Sequence, residues 1–302
     1  MPVSTPGSHA DAMAAAAAGA VRIERTPEWR TVLRHRWPLR LMHWINLACM
    51  VAMVGSGLQI LNAHPALYWG ETSHFDTPLA SATAVTRNGA LRGVLQVGAW
   101  RVDSTGIAGV TDNRAGKPVR AVVPSWAMIP GPRHLAAARR WHFFFAWAWV
   151  INGACYLAWS LASRHLQRDL AMQRRDWRGI GRSIVDHLRF RHPRGEEALA
   201  YNPLQKLAYL AVIFVLTPAI VLTGLSMSPQ MDGLVGGFTA FIGGRQSART
   251  LHFAAMALFV LFALVHVLMV VYAGPVNEMR SMLTGRFRVR DDARTDAGNA
   301  DG

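Results

Sequence analysis

Four of the twelve histidines lie in or at the edges of long apolar runs: His43, His142, His252 and His266. An ionisable side chain is costly inside a bilayer and is usually kept there for function. Neutral imidazole binds metals and is a good axial ligand to haem iron. One such histidine could equally be satisfied by a hydrogen bond between helices, whereas four together point to a shared ligand. His252 and His266 stand 14 residues apart in one run. On an α-helix that is about 21 Å along the axis and within about 40° of whole turns. One helix therefore offers two imidazoles on one stripe, one near each membrane surface.

Three of the four carry an arginine at one offset: Arg40 before His43, Arg139 before His142 and Arg249 before His252. Residues three apart share a helix face. An arginine one turn towards the surface can pair with a haem propionate while its histidine binds iron. Interfacial anchoring at helix ends is the alternative for any one of them. The shared offset favours the propionate role.

The elements that must position these residues are membrane helices, since about 20 mainly apolar residues cross a bilayer. Four windows qualify, at about 39–61, 140–161, 204–225 and 251–273, the third with an expected kink at Thr217-Pro218. Apolar residues make up 51% of the chain and charged residues 17%, a balance that suits a membrane protein better than a soluble one. The net charge is +14, but the positive residues fall between the apolar runs, which argues against a nucleic-acid footprint. Asp and Glu are absent from all four windows, which weakens a proton-pumping or ion-transporting reading. The two cysteines, Cys49 and Cys155, sit in apolar runs with no Cys-x-x-Cys, which excludes c-type haem and cysteine-ligated clusters.

Charge orients the windows. Six Arg lie between Val21 and Arg40, ten Lys/Arg between Ser163 and Lys206, and five Arg after Ala273, against one, Arg245, between Ser226 and Ala248. The positive-inside rule then makes both termini and the loop 163–203 cytoplasmic. Residues 1–36 form a basic, partly disordered tail whose alanine tract, Ala14 to Ala18, does not read as a signal peptide, and 274–302 form a second tail. Residues 62–138 form a long loop on the outer side, with short strands expected between Leu91 and Val123. With that orientation His43 and His266 share the inner level, and His142 and His252 the outer. The expected fold is an all-α integral membrane bundle of four helices with two haems and a long, partly β periplasmic loop. Haem fits better than a bare metal ion, because no carboxylate joins either pair. The histidines His35, His64, His74, His134, His165, His187 and His192 read as solvated or interfacial.

Arg40-Leu-Met-His43-Trp44, Arg140-Trp141-His142 and the His252 to His266 pair resemble the di-haem cytochrome b subunits of the bacterial cytochrome b561 and Ni/Fe-hydrogenase superfamily. The segments Asn62-Ala-His-Pro-Ala-Leu-Tyr-Trp69 and Tyr201-Asn-Pro-Leu-Gln-Lys206 look most like its thiosulfate-reductase cytochrome b group. The likeness covers Arg36 to Tyr272, and the pair on the last helix is its most specific element. It implies two haem b groups in the bacterial inner membrane, the inner one held by His43 with His266. It also implies a quinone site near the inner haem, placed by analogy at Asn202, Gln205 and His266, and a catalytic partner subunit on the outer side. A helix start with interfacial polar side chains is an equal reading of Asn202 and Gln205. The long outer loop departs from compact members and suggests a docking surface for a periplasmic oxidoreductase, often a molybdopterin enzyme in this group. The competing readings are a stand-alone quinone-linked cytochrome b acting on a small species such as superoxide, and a transporter or scaffold without haem.

Overall fold

The computed structural model describes residues 29–113, 115–131, 134–188 and 202–290. The alanine tract, His192, Tyr201 and most of both tails lie outside these. The chain enters through β1 (Trp29–Leu33) and runs into α1 (Trp37–Ala63), opened by a proline in its first turn. Strands β2 (Ala66–Leu67), β3 (Ala80–Arg87), β4 (Ala90–Val97), β5 (Trp100–Asp103), β6 (Gly109–Asp112) and β7 (Pro118–Ala121) follow. Next come α2 (Leu135–Ala162), α3 (Arg174–Leu188), α4 (Pro203–Ser226), α5 (Asp232–Phe241), α6 (Arg245–Ala273), α7 (Pro275–Thr284) and β8 (Arg286–Arg290). Gly274 and Gly285 end α6 and α7 in the left-handed region, at φ of 109° and 83°, where a Cβ would be strained.

Four helices, α1, α2, α4 and α6, are long and apolar enough to cross a membrane. Their outward surfaces carry exposed large apolar side chains, among them Leu47 and Val51 on α1, Phe144 and Trp147 on α2, and Leu261, Leu264 and Leu268 on α6. Such a belt is stable against lipid and not against water. The contacts between helices use small or polar residues instead: Ser56, Ser160, Ser226, Ala138, Ala248 and Asn152 are buried. Packing is concentrated in two hairpins, α1 with α2 and α4 with α6. Asn152 ties the first together, its Nδ2 donating to Met42 O at 2.9 Å and to Asn46 Oδ1 at 2.7 Å.

The helices start earlier than the apolar windows, α2 at Leu135 instead of about 140 and α6 at Arg245 instead of about 251. Hydropathy detects only the part of a helix in hydrocarbon, and the helical hydrogen bonds continue through the interface. Thr217-Pro218 follows a π turn at Val212–Leu216. Pro218 lacks an N–H and its ring crowds the carbonyl four residues back, and the wider turn relieves both. The loop 163–203 contains α3, and the link between α4 and α6 contains α5.

Between α1 and α2 the chain folds as an antiparallel sheet in the order β2-β3-β4-β5, with the β6-β7 pair beside it. Its first residues latch onto the start of α6. Thr250 Oγ1 donates to Tyr68 O at 2.6 Å, the amide of Gly70 donates to Ser247 Oγ at 2.9 Å, and Glu71 accepts from the Arg245 amide. At the opposite end of the bundle β1 pairs with β8, and Arg34 bridges to Glu278 at 2.9 Å. The bundle thus has a loop end, at the sheet, and a tail end, at the β1–β8 pair.

Candidate functional site

At the loop end, the imidazoles of His142 on α2 and His252 on α6 face each other with ring centroids 6.2 Å apart. Each is fixed from behind by the other helix of its own hairpin. His142 Nδ1 lies 3.2 Å from Met53 O and 3.1 Å from Ser56 Oγ on α1. His252 Nδ1 lies 3.0 Å from Ile220 O and 3.2 Å from Thr223 Oγ1 on α4. The Ser56 and Thr223 hydroxyls spend their protons on Ala52 O and Ala219 O, each at 2.7 Å, so both oxygens are acceptors towards the ring. Nδ1 must then carry the proton, and the Nε2 lone pair is left as the donor to a metal. This is the arrangement that orients a ligating imidazole and raises its basicity.

The same residues recur on both supports. Ala52-Met53-Val54-Gly55-Ser56-Gly57-Leu58 on α1 matches Ala219-Ile220-Val221-Leu222-Thr223-Gly224-Leu225 on α4. Alanine takes the hydroxyl proton, the next residue's carbonyl and the hydroxyl take Nδ1–H, and glycine makes room for the ring. A Cβ on Gly57 would stand 3.4 Å from His142 Cε1, and one on Gly224 3.2 Å from His252 Cε1. Residue type alone does not single out these positions in the sequence. The signal that could have found them is this heptapeptide repeat, set before the two Arg-x-x-His motifs on the next helix of each hairpin.

At the tail end, His43 on α1 and His266 on α6 face each other at the same 6.2 Å. Phe262 stacks on His266 at 6.1 Å and 16°, and Tyr209 on α4 reaches Phe262 at 6.3 Å. Between the two levels Trp149 on α2 meets Phe259 on α6 at 5.5 Å. All four histidines are half-buried.

The separation can be tested against a cofactor. Two imidazoles at this separation would leave room for one metal ion between a nitrogen of each, at a bond of about 2 Å on either side. Both pairs match. Among the described residues no group of three or more His, Cys, Asp or Glu comes together to hold a metal ion. The donor set therefore suits a planar cofactor that brings its own equatorial ligands.

The arginines are placed less simply. Arg40 Nη1 donates to Leu283 O at 2.7 Å, and its Nε is buried with no hydrogen-bond partner. Arg249 donates to His64 O, and Arg139 is exposed at the start of α2. Asn202 and Gln205 form a capping box at the start of α4. Asn202 Oδ1 accepts from the Leu204 amide at 3.0 Å, and Gln205 Oε1 accepts from the Asn202 amide at 3.2 Å. His35, expected to be solvated or interfacial, is buried beneath Gly285 at the tail end, where β1 leads into α1. Burial, with nearby Arg34 and His43, pushes its pKa down to about 4, so it is neutral at pH 7.

Four apolar helices carrying two facing imidazole pairs fit the class of membrane cytochromes b. The pattern described as prokaryotic cytochrome b561 matches residues 34–285, and the chain belongs to that family. It is 32% identical over 136 residues to a chain of Azospira oryzae named as a candidate protein-methionine-sulfoxide reductase subunit, YedZ1. It is 26% identical over 136 residues to a chain of Cupriavidus necator, named as a candidate Ni/Fe-hydrogenase B-type cytochrome subunit. The matches span 45% and 42% of this chain and 66% and 56% of those relatives. The chain is thus a multi-pass membrane protein of the cytochrome b561 family, and haem b is the cofactor that family implies. The likeness to the thiosulfate-reductase group rests on the sequence motifs alone.

Proposed function

We propose that the chain holds two haem b groups, one between His43 and His266 and one between His142 and His252. It would pass electrons between quinone and a periplasmic oxidoreductase subunit. The facing pairs carry this reading: both ring separations suit one bis-imidazole iron, and at the loop end both Nδ1 atoms are committed to carbonyls. Bound haem supplies one-electron redox chemistry, and the residues described orient it and keep it in an apolar bundle. Arg40, Arg139 and Arg249 remain the candidates for its propionates, and Arg40 and Arg249 each have guanidinium donors beyond the one their backbone contact uses. Both termini would lie in the cytoplasm of a bacterial inner-membrane protein, by the placement of positive charge.

The quinone site belongs at the tail end, near Asn202, Gln205 and His266. Asn202 and Gln205 commit their carbonyl oxygens to the helix cap, which leaves their amide N–H groups for a quinone carbonyl. Cap and site can be separated. Asn202→Ser keeps an N-cap oxygen and costs only a few tenths of a kcal/mol, whereas Asn202→Ala costs about 1 kcal/mol. The serine variant is expected to keep both haem spectra and its melting temperature, yet to slow haem reduction by a quinol analogue at least about ten-fold, the worth of a lost hydrogen bond to a reacting group. Unchanged stopped-flow kinetics would remove Asn202 from the site.

Both relatives are named as subunits of larger oxidoreductases, which supports a partner on the loop between α1 and α2. That loop exposes Trp69, Phe75, Trp100 and Trp126, while Tyr68 is buried against the start of α6. A molybdopterin enzyme is one such partner. Both ends of the sheet are held near the end of α1, the Leu79 amide by Leu67 O and the Val122 amide by Asn62 Oδ1, each at 2.8 Å. Residues 80–121 can therefore be replaced by a short Gly/Ser linker while keeping the latch on α6. Haem content and quinol-driven reduction are expected to survive, and co-purification with the oxidoreductase subunit to fail. A shortened protein that still binds and reduces its partner would move docking elsewhere, and one that loses a haem would make the loop a cap.

A further inference from the structure

Ten of the fifteen residues of helix α3 fall on three faces. At about 100° per residue, Asp176, Gly179 and Ser183 fall on one side, Arg174, Arg175, Arg178 and Arg182 on a second, and Trp177, Ile180 and Ile184 on a third. The first face is built into the protein. Asp176 and Ser183 are buried, Asp176 Oδ2 accepts from Lys206 Nζ at 3.0 Å, and the Ser183 hydroxyl donates to Asn202 Oδ1. A Cβ on Gly179 would touch Pro203 at 3.6 Å, so the small residue lets α3 lie against the first turn of α4. The other two faces have no such cover. All four arginines are exposed, as are Trp177 at 57% and Ile184 at 42%.

An arginine stripe beside an aromatic and aliphatic stripe is the surface of a helix that lies in the plane of a membrane. Topology puts α3 at that level, since it joins two membrane-crossing helices, α2 and α4, at the tail end. A soluble protein partner is a poorer fit, because α3 is joined on both sides to membrane-crossing helices and four exposed arginines lie beside the exposed Trp177 and Ile184. We propose that α3 is an in-plane anchor for anionic phospholipid. Its four arginines take the headgroup phosphates, and Trp177 and Ile184 enter the acyl boundary. Through Asp176 with Lys206 and Ser183 with Asn202, the lipid-bound helix holds the start of α4. A bilayer with negative headgroups therefore steadies the end of the bundle that carries His43 and His266.

The test uses the full chain in nanodiscs of phosphatidylcholine alone or with one-third phosphatidylglycerol. Native mass spectrometry counts retained phosphatidylglycerol for the wild type and for the R174Q/R175Q/R178Q/R182Q variant. The wild type should retain phosphatidylglycerol over phosphatidylcholine and melt at a higher temperature in the anionic discs. The variant should lose that preference by about ten-fold or more, because each arginine near an anionic surface contributes several-fold. Haem content is read in parallel and should not change. A spin label on Trp177→Cys, with Cys49 and Cys155 replaced by alanine, should be accessible to oxygen and shielded from a water-soluble nickel reagent. An undiminished lipid preference in the variant overturns the proposal. So does a nickel-accessible label in anionic discs, which would leave α3 facing water or a protein partner. So does equal stabilisation by inorganic phosphate in phosphatidylcholine discs, which would make the site one for a free anion.

Discussion

His252→Ala is expected to abolish one haem and spare the other, and His142→Ala to abolish that same one. Haem content per chain should fall by about half in each, since an iron with one imidazole removed loses an axial ligand and is weakly held. His43→Ala and His266→Ala should form a second matched pair that loses the other haem. The grouping follows from the two facing pairs, one at the loop end and one at the tail end. Redox titration of each variant shows which wave remains. Loss of the same haem in His43→Ala and His252→Ala would break the pairing by depth on which the account depends.

Gly224→Val is expected to reproduce His252→Ala without touching a ligand. A Cβ at position 224 would already stand 3.2 Å from His252 Cε1, tighter than ordinary packing, and the two γ carbons of valine need the volume the imidazole fills. Overpacking of this kind costs about 1–3 kcal/mol where neighbours can shift. Here the ring is pinned by Ile220 O and Thr223 Oγ1, so it must leave both contacts to move. The variant should therefore fold, insert and keep the haem of His43 and His266 while losing the one at the loop end. Gly57→Val should act likewise through His142, more mildly, because its Cβ would have 3.4 Å. Full haem content with an unshifted spectrum in Gly224→Val would mean that the ring does not occupy this space in the holoprotein.

Much of this was legible in the chain. Four apolar runs gave four helices because a bilayer leaves the backbone no other way to satisfy its hydrogen bonds. The 14-residue step from His252 to His266 and the run directions put His43 level with His266 and His142 level with His252, and those rings lie near one another. The supports of the loop-end pair were harder to see. Ser56 and Thr223 are ordinary small residues of a membrane helix, and only the repeat of Ala52 to Leu58 in Ala219 to Leu225 sets them apart. The repeat does not extend to the tail-end pair. Shifted by the same 167 residues, His43 falls on Leu210, and shifted by the 110 between His142 and His252, His266 falls on Tyr156. Helices α3 and α5 were not foreseen as elements, because neither is apolar and long enough to stand out from the polar links around it. The burial of His35 depends on the pairing of β1 with β8, a contact between distant parts of the chain that no local pattern announces. Asn202 and Gln205 were readable both as a helix cap and as a quinone site, and the cap is what their side chains make.

Two bis-histidine haems in one bundle are read out by pyridine haemochrome analysis of the purified protein against its chain concentration. The expected result is about two haem b per chain, both low-spin and six-coordinate, because each iron would have two imidazoles. A ratio near one, or a high-spin spectrum in the resting protein, would contradict it.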